Sequence, residues 1–234
     1  MPRKPALILV GRDNWQKDES LNRLLLGRFG GRDDIRIIWE DPAAEVIQRA
    51  RGLESRLTWL PAFSRRLTLR LTQILYGLAN PSYFAYLYRR RGNSIPARCH
   101  DLREIVGQLG AEYIPIVLSR SAGGRVASLI ADDSSIEQII CMGYPFKHPE
   151  MGDEPERYMH LQHLKTPMLI LQGTRDEYGG DDIEERYRLS SSIEVCLVET
   201  SHDFALDDTQ ADTVFAKIEE VIAEQAARQR QVMH

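Results

Sequence analysis

Short apolar runs alternate along this chain with segments in which apolar residues recur at helical spacing. Six of the runs predict strands: ALILV (6–10), IRIIWE (35–40), YIPIVLS (113–119), IEQIICMG (136–143), PMLILQG (167–173) and EVCLVET (194–200). Strands that alternate with helical segments are typical of βα units. The pattern therefore predicts an α/β fold with a mostly parallel central sheet flanked by helices.

The intervening segments predict the helices of these units. The first, 18–29, places Leu21, Leu24, Leu25 and Phe29 on one face. The others are predicted at 99–110, where Gly110 suits a C-terminal cap, from Ala122 to about Ile130, at 181–191, and from about Asp212 to Arg228.

One connection is far longer than βα units require, because most such connections have about 2–6 residues. Residues 41–98 contain the Leu- and aromatic-rich segment LTWLPAFSRRLTLRLTQILYGLANPSYFAYLYRR, interrupted by Pro61 and Pro81. This composition predicts two or three short helices, inserted as a cap over the functional edge of the sheet within a single domain, 1–234. Alternatively, the insert contains an amphipathic helix that lies on a membrane surface. A membrane span over 67–88 is disfavoured by Arg70, Gln73, Asn80 and Pro81.

The charge distribution singles out the same insert. The chain carries a net charge of −4, yet residues 49–98 hold ten arginines, no lysine, no aspartate and one glutamate. This stretch thus carries +9. The asymmetry predicts contact with something anionic: an internal acidic face, a negatively charged substrate or a phosphate-rich surface, with peripheral membrane contact included. We predict no nucleic-acid partner, and the sequence leaves the oligomeric state open.

Composition and cysteine usage narrow the class of protein. With 234 residues, 43% hydrophobic and 27% charged, the chain is typical of one globular domain. The N-terminal apolar run is shorter than a signal-peptide core, so we expect a cytoplasmic protein. Cys99, Cys141 and Cys196 are too few and too widely spaced for a disulfide framework or a zinc site. His160 and His163 lack a further ligand at convincing spacing, so no metal or cofactor is predicted.

The first candidate for chemistry is Ser121, in the segment VLSRSAGGRVASLIA, where a predicted strand turns into a predicted helix. A nucleophile on such a tight turn needs small residues two positions before and after it, and Ser119 and Gly123 are small. Ser119 departs from the usual glycine. The same residues also fit a helix N-cap or a weak phosphate-binding turn.

Two further candidates follow in the order that a Ser–Asp–His triad on this type of fold requires. Asp176 lies just after the strand at 167–173, and His202 lies between the last strand and the last helix. Taken singly, Asp176 is an ordinary loop acid and His202 an ordinary surface histidine. Because all three residues fall at strand ends and in the required order, together they predict a nucleophile, a general base and the acid that orients the base.

The segments SRSAGGRVAS, MGYPFKHPE, HLQHLKTPMLILQGTRDEYG and SHDF together resemble a family of small α/β-hydrolases related to dienelactone hydrolases, with testis-expressed and chromatin-complex members in animals. The resemblance covers about Tyr113 to Phe204. It implies the α/β-hydrolase fold and a triad at Ser121, Asp176 and His202. It implies little about the substrate.

The resemblance also implies an oxyanion hole built from backbone amides. The family usually has a His-Gly motif after the first long strand, where this chain has Gly11, Arg12, Asp13 and Asn14. We therefore expect the amide of Ala122 and that of Arg12, or alternatively of Asp13, to bind the oxyanion.

Two functions are predicted. The first is a serine hydrolase that cleaves a carboxylic ester or thioester through an acyl-enzyme, on a small-molecule substrate that carries an anionic group. The alternative is a catalytically weak protein of the same fold that uses its basic insert to bind an anionic partner or a membrane surface.

Overall fold

The computed structural model describes residues 3–11, 19–41, 46, 64–80 and 94–232. Its strands are β1 (Lys4–Val10), β2 (Arg36–Trp39), β3 (Tyr113–Arg120), β4 (Gln138–Met142), β5 (Lys147–His148), β6 (Gly152–Asp153), β7 (Met168–Arg175) and β8 (Ile193–Ser201). In the described ranges, six of them form a parallel sheet in the order β2-β1-β3-β4-β7-β8, and β5 and β6 form a separate antiparallel pair. The prediction of an α/β fold with a mostly parallel sheet is confirmed.

The helices are α1 (Glu19–Phe29), α2 (Ser64–Ala79), α3 (Ile95–Gly107), α4 (Ala122–Ile130), α5 (Ile183–Arg186) and α6 (Asp208–Val232). The bounds of α4 are those predicted. Helix α3 starts four residues earlier than predicted, because Pro96 lies in its first turn, where a proline needs no backbone N–H. It ends at Gly107, before the predicted cap Gly110.

Two other predicted helices differ in length. The helix predicted over 181–191 is the single turn α5, because the chain becomes extended at Tyr187, whose ring packs against Phe146 and Tyr158. Helix α6 starts earlier than predicted, because Asp207 and Gln210 cap it reciprocally. The Asp207 carboxylate accepts the Gln210 N–H at 2.8 Å, and the Gln210 side chain accepts the Asp207 N–H at 3.0 Å.

Helices α1 and α6 cover one face of the sheet and complete a hydrophobic core with it. The core contains alternate residues of β1, β3, β4 and β7 together with Leu21, Leu25 and Phe29 of α1 and six apolar residues of α6: Ala211, Val214, Phe215, Ile218, Val221 and Ile222. The prediction that Leu24 shares the buried face of α1 is wrong, because Leu24 is 39% exposed. At 100° per residue, Leu24 lies about 100° from the centre of the face formed by its three buried neighbours.

The strand order creates a crevice at one edge of the sheet. From β1 the sheet extends to β2 on one side and through β3, β4 and β7 to β8 on the other. The connections that leave β1 and β3 at their carboxyl ends therefore diverge. In open α/β sheets, ligands bind at such a switch point.

The chain divides into two compact units, Met1–Glu40 with Arg98–His234, and Asp41–Ala97. The first contains the sheet. The second contains α2 and the first residues of α3. The cap role of residues 41–98 stays a prediction. No helix in the described ranges has both the length and the apolar character needed to cross a membrane.

Arg98 meets one of the three anionic partners that the charge pattern predicted for the basic stretch, an internal acidic group. Its guanidinium is buried in the unit that contains the sheet, where Nη2 donates to the Gly11 carbonyl at 2.6 Å. Its Nε lies 3.5 Å from Glu40 Oε1, and both side chains are almost fully buried. Arg98 thus neutralises a buried carboxylate and holds the chain where it leaves β1.

We expect Arg98→Met to lower the free energy of unfolding by about 3–5 kcal/mol, because it removes a buried positive charge that lies 3.5 Å from the buried Glu40 carboxylate. Urea denaturation followed by circular dichroism measures the change. The control is Arg103→Met, at an exposed position of α3, for which the change should stay within about 0.5 kcal/mol. Equal stability of Arg98→Met and the wild type would contradict this account of the pair.

Candidate active site

Ser121 is the first residue after β3 and the last before α4, on a strained turn. Its φ of 50° and ψ of −119° place it outside the regions that serine ordinarily adopts. Its side chain makes no capping hydrogen bond to α4. The alternative that Ser121 serves as a helix N-cap is therefore wrong, because the hydroxyl points to His202 instead.

The turn is tight because β3 and α4 approach their neighbours closely. A Cβ on Gly123 would lie 2.3 Å from the Val10 carbonyl oxygen, so only glycine fits at this position. Ser119, two residues before the nucleophile candidate, is fully buried and donates its hydroxyl proton to the Ile140 carbonyl at 3.0 Å. The departure from glycine at this position is thus accommodated by a hydrogen bond to β4.

The structure brings Ser121, His202 and Asp176 together in one hydrogen-bonded chain. Ser121 Oγ lies 2.9 Å from His202 Nε2, and His202 Nδ1 lies 2.9 and 2.8 Å from the two Asp176 carboxylate oxygens. Asp176 directly follows β7, and His202 directly follows β8. All three side chains are buried. With Nδ1 donating to the carboxylate, Nε2 is left to accept the Ser121 proton.

Asp176 is held by two further donors. The Tyr178 backbone N–H donates to Oδ1 at 2.8 Å, and the Gln172 side-chain amide donates to Oδ2 at 3.0 Å. Gln172 is fully buried and in turn accepts the Tyr144 backbone N–H at 2.9 Å. The ring of Tyr178 lies against the imidazole of His202, with 4.2 Å between ring centroids. These contacts fix the orientation of the carboxylate and of the imidazole.

Arg120 ties the strand that precedes Ser121 to the loop that carries His202. Its buried guanidinium donates to the Met142 carbonyl at 2.7 Å and to the His202 carbonyl. It also lies over the ring of Phe204, with 4.9 Å from the guanidinium carbon to the ring centroid. Arg120 therefore connects the ends of β3 and β4 with the loop after β8.

The predicted oxyanion donors are only partly within the described residues. Ala122 is the first residue of α4, so its amide belongs to the end of the helix where N–H groups lack intrahelical acceptors. Arg12 lies outside the described residues. The chain that leads to it is placed beside the Ser121 turn, because Gly11 is held by Arg98 and its carbonyl lies near Gly123.

Other potential nucleophiles and metal ligands among the described residues are less suited to catalysis. Burial raises the pKa of Cys141 to about 12, so this thiol behind the turn stays protonated. His160 Nε2 lies 2.8 Å from Ser128 Oγ, in a second serine–histidine contact. Among the described residues, no group of three or more His, Cys, Asp or Glu side chains is arranged to hold a metal ion.

Comparison with solved structures identifies the class of the fold. A candidate hydrolase of the alpha/beta superfamily from Xanthomonas campestris pv. campestris aligns over 98% of this chain and 99% of its own, with a TM-score of 0.51 and 14% identity. Alpha/beta hydrolase domain-containing protein 10 from mouse aligns over 96% of this chain and 92% of its own, with a TM-score of 0.49 and 12% identity. The match to the Xanthomonas protein shows that this protein has the alpha/beta hydrolase fold.

The family follows from the sequence comparison. The alpha/beta hydrolase domain family matches residues 80–230, which is more than half of the chain. The protein therefore belongs to this family. No curated protein sequence matches it significantly.

Three residues that support the site were not predicted from the sequence: Gln172, Arg120 and Tyr178. Gln172 was visible as a polar residue inside the apolar run PMLILQG, and Arg120 as a charge between a strand and a helix. Charged or amide groups at such positions are buried only with partners, which is a signal of a hydrogen-bond network. Tyr178 had no comparable signal, because loop tyrosines are common.

We expect Arg120→Met to lower the free energy of unfolding by about 1.5–3 kcal/mol, because it leaves the Met142 and His202 carbonyls without a charged donor. Chemical denaturation measures the loss. The control is Arg175→Met, at an exposed position of β7, which should unfold like the wild type. A wild-type unfolding curve for Arg120→Met would show that the guanidinium does not stabilise the His202 loop.

His160 should make the protein sensitive to acid. Burial, helped by the charge of Arg125, lowers the pKa of His160 to about 4. In the unfolded chain the pKa is about 6.5, so the unfolded state takes up the proton first. The stability due to neutral His160 is thus fully present above pH 6.5 and is lost as the pH falls toward 4.

The variant His160→Gln should flatten this part of the stability profile. Urea denaturation between pH 7.5 and 4.5 should show the difference. The wild type should lose up to about 1.4 kcal/mol per pH unit more than the variant, and less to the extent that solvent screens the partly exposed ring. Parallel profiles would contradict the assignment of His160 as a neutral buried group.

Proposed function

We propose that the protein is a serine hydrolase that cleaves a carboxylic ester or thioester through a Ser121–His202–Asp176 triad. The observation that carries the proposal is the continuous contact from Ser121 Oγ to His202 Nε2 at 2.9 Å and from His202 Nδ1 to Asp176 Oδ2 at 2.8 Å. A serine hydroxyl is a weak nucleophile on its own, and a neighbouring base activates it.

In the first half of the reaction, Ser121 Oγ attacks the carbonyl carbon of the substrate while His202 Nε2 takes the hydroxyl proton. Asp176 keeps the imidazole in the tautomer that can accept this proton and stabilises the imidazolium that forms. The tetrahedral intermediate collapses when the bond to the leaving group breaks. His202 donates its proton to the departing alcohol or thiol, and the acyl group remains on Ser121.

In the second half, His202 Nε2 removes a proton from a water molecule, whose oxygen attacks the acyl carbon. The acid is released, and the proton returns to Ser121. In both halves the negative oxygen is stabilised by the Ala122 amide and by a second amide, which we assign to Arg12. Each such donor contributes about 2.7–4 kcal/mol to the transition state.

The backbone at Ser121 favours this function over the alternative of a binding protein with the same fold. A non-glycine residue with positive φ costs about 1–3 kcal/mol. In a hydrolase this strain has a catalytic role, because the strained turn presents the Ser121 hydroxyl to His202. A scaffold would gain nothing from it.

The arginine-rich residues 41–98 support an acyl substrate with an anionic group, such as an acyl phosphoester or an acyl thioester of an anionic carrier. The three cysteines are free, which supports a cytoplasmic location, where thiols stay reduced. A relationship to dienelactone hydrolases is part of the proposal, supported by the SRSAGG and SHDF motifs.

We expect Ser121→Ala to abolish labelling by a fluorophosphonate probe and to lower kcat on short aryl esters by about 10⁴-fold or more. The chain offers a matched control in Ser128→Ala, since Ser128 is also buried and also contacts a histidine, His160, at 2.8 Å. This variant should label and turn over like the wild type.

Labelling is followed by fluorescence in a gel and turnover by product absorbance. A wild-type protein that neither reacts with the probe nor hydrolyses any ester in a Ser121-dependent way would refute the proposal. Equal loss in Ser121→Ala and Ser128→Ala would show that the triad is not the reacting group.

A further inference from the structure

Helix α2 has its polarity reversed relative to a helix of an ordinary globular protein. Five of its apolar side chains are more than half exposed: Leu67 (57%), Leu71 (51%), Ile74 (52%), Leu75 (66%) and Leu78 (71%). Among the residues of this helix whose side chains the structure describes, Thr72, Gln73, Tyr76 and Gly77 are buried or half-buried. A helix of a globular protein normally buries its apolar stripe and exposes its polar one.

The exposed apolar residues form one continuous stripe. Their spacing of three, four and one along the helix confines them to a sector of about 100°. We call these five residues the leucine face of α2. Monomeric proteins rarely expose apolar patches larger than a few hundred Å², and larger ones mark interaction surfaces. The other exposed large apolar residues among those described, such as Met151, Met159 and Leu197, are scattered over other elements.

The residues that flank the leucine face in sequence carry charges of a single sign. Residues 55–100 contain eight arginines and no Asp or Glu. Arg98, which is buried against Glu40, belongs to the other compact unit. Arg70 is exposed and lies at the edge of the face, and Arg65 and Arg66 belong to the same helix. A partner that binds the leucine face must therefore combine an apolar interior with negative charge.

We propose that the leucine face of α2 docks on an anionic lipid bilayer, with the leucines inserted to the level of the headgroups and the arginines on lipid phosphates. An apolar face edged with basic residues is the pattern of helices that lie in a membrane interface. The cytoplasmic leaflet carries the negative surface potential that such residues meet. This inference does not rest on the proposed hydrolase activity.

A second copy of this chain fits the face less well. A two-fold symmetric contact sets the same patch against itself, which would bring arginine against arginine with no acidic residue of this segment between them. A bilayer supplies many negative charges and an apolar interior at once, so it satisfies both features of the helix.

Cosedimentation of the full chain with vesicles tests the proposal. The wild type should pellet with vesicles of phosphatidylcholine mixed with phosphatidylglycerol, bind vesicles of phosphatidylcholine alone much more weakly, and be released by raised salt. The variant Leu71→Gln/Leu75→Gln should bind at least about tenfold more weakly, because two inserted side chains become polar. The matched control Met151→Gln/Met159→Gln removes two equally exposed apolar groups elsewhere and should bind like the wild type.

The charge requirement is tested in the same assay. The variant Arg65→Gln/Arg66→Gln/Arg70→Gln should bind at least about tenfold more weakly, since each basic residue near an anionic surface contributes about fivefold. The control Arg103→Gln/Arg188→Gln/Arg228→Gln makes the same change in net charge at exposed positions of the other compact unit. Its binding should change by less than that of the first variant.

Several results would overturn the proposal. One is a wild type that stays in the supernatant with anionic vesicles, and another is equal binding to neutral and anionic vesicles. A wild-type dimer that Leu71→Gln/Leu75→Gln dissociates, without vesicle binding, would assign the face to a second copy. Because the face is exposed, this variant should unfold like the wild type, and a large loss of unfolding free energy would show that the leucines are buried in solution.

Discussion

The close approach of α4 to the end of β1 is the constraint on which the site depends. Because Gly123 has no side chain, its backbone can lie against the Val10 carbonyl, and the chain can reverse from β3 into α4 within one residue. That reversal forces Ser121 to a positive φ and lifts its hydroxyl away from the helix. A side chain at position 123 would widen the turn and move Ser121 away from His202. The packing of a strand against a helix thus sets the geometry of the contact between Ser121 and His202.

The rest of the site depends on buried polar groups that hold each other. Asp176 orients His202, Gln172 and the Tyr178 amide hold Asp176, and Arg120 anchors the loop that carries the imidazole. Each of these groups would be costly to bury alone and becomes tolerable through its partners. The same principle applies to Arg98 and Glu40 near the end of β1. These polar interactions fix side-chain positions at the carboxyl edge of the sheet.

The two compact units use apolar surface in opposite ways. In the unit with the sheet, the apolar faces of α1 and α6 are buried in a common core. In the other unit, α2 exposes its leucine face, while Thr72, Gln73 and Tyr76 are half-buried. Burial of the first kind stabilises the fold, whereas an outward apolar face stabilises nothing until something covers it. In the proposed docking, the bilayer covers this face and the nearby arginines contact its negative charge.

The sequence by itself determined the parallel sheet, the bounds of α4 and the three residues Ser121, Asp176 and His202, because hydrophobic periodicity and strand ends are local properties of a chain. Tertiary structure decided what depends on partners distant in sequence. It shortened the helix predicted at 181–191 through the aromatic packing of Tyr187, and it buried Arg98, which in sequence belongs to a basic segment. It also decided that Ser121 contacts His202, 81 residues away, instead of capping its own helix. A local pattern can name the groups that are able to react, but only long-range packing fixes which of them come within a hydrogen bond of each other.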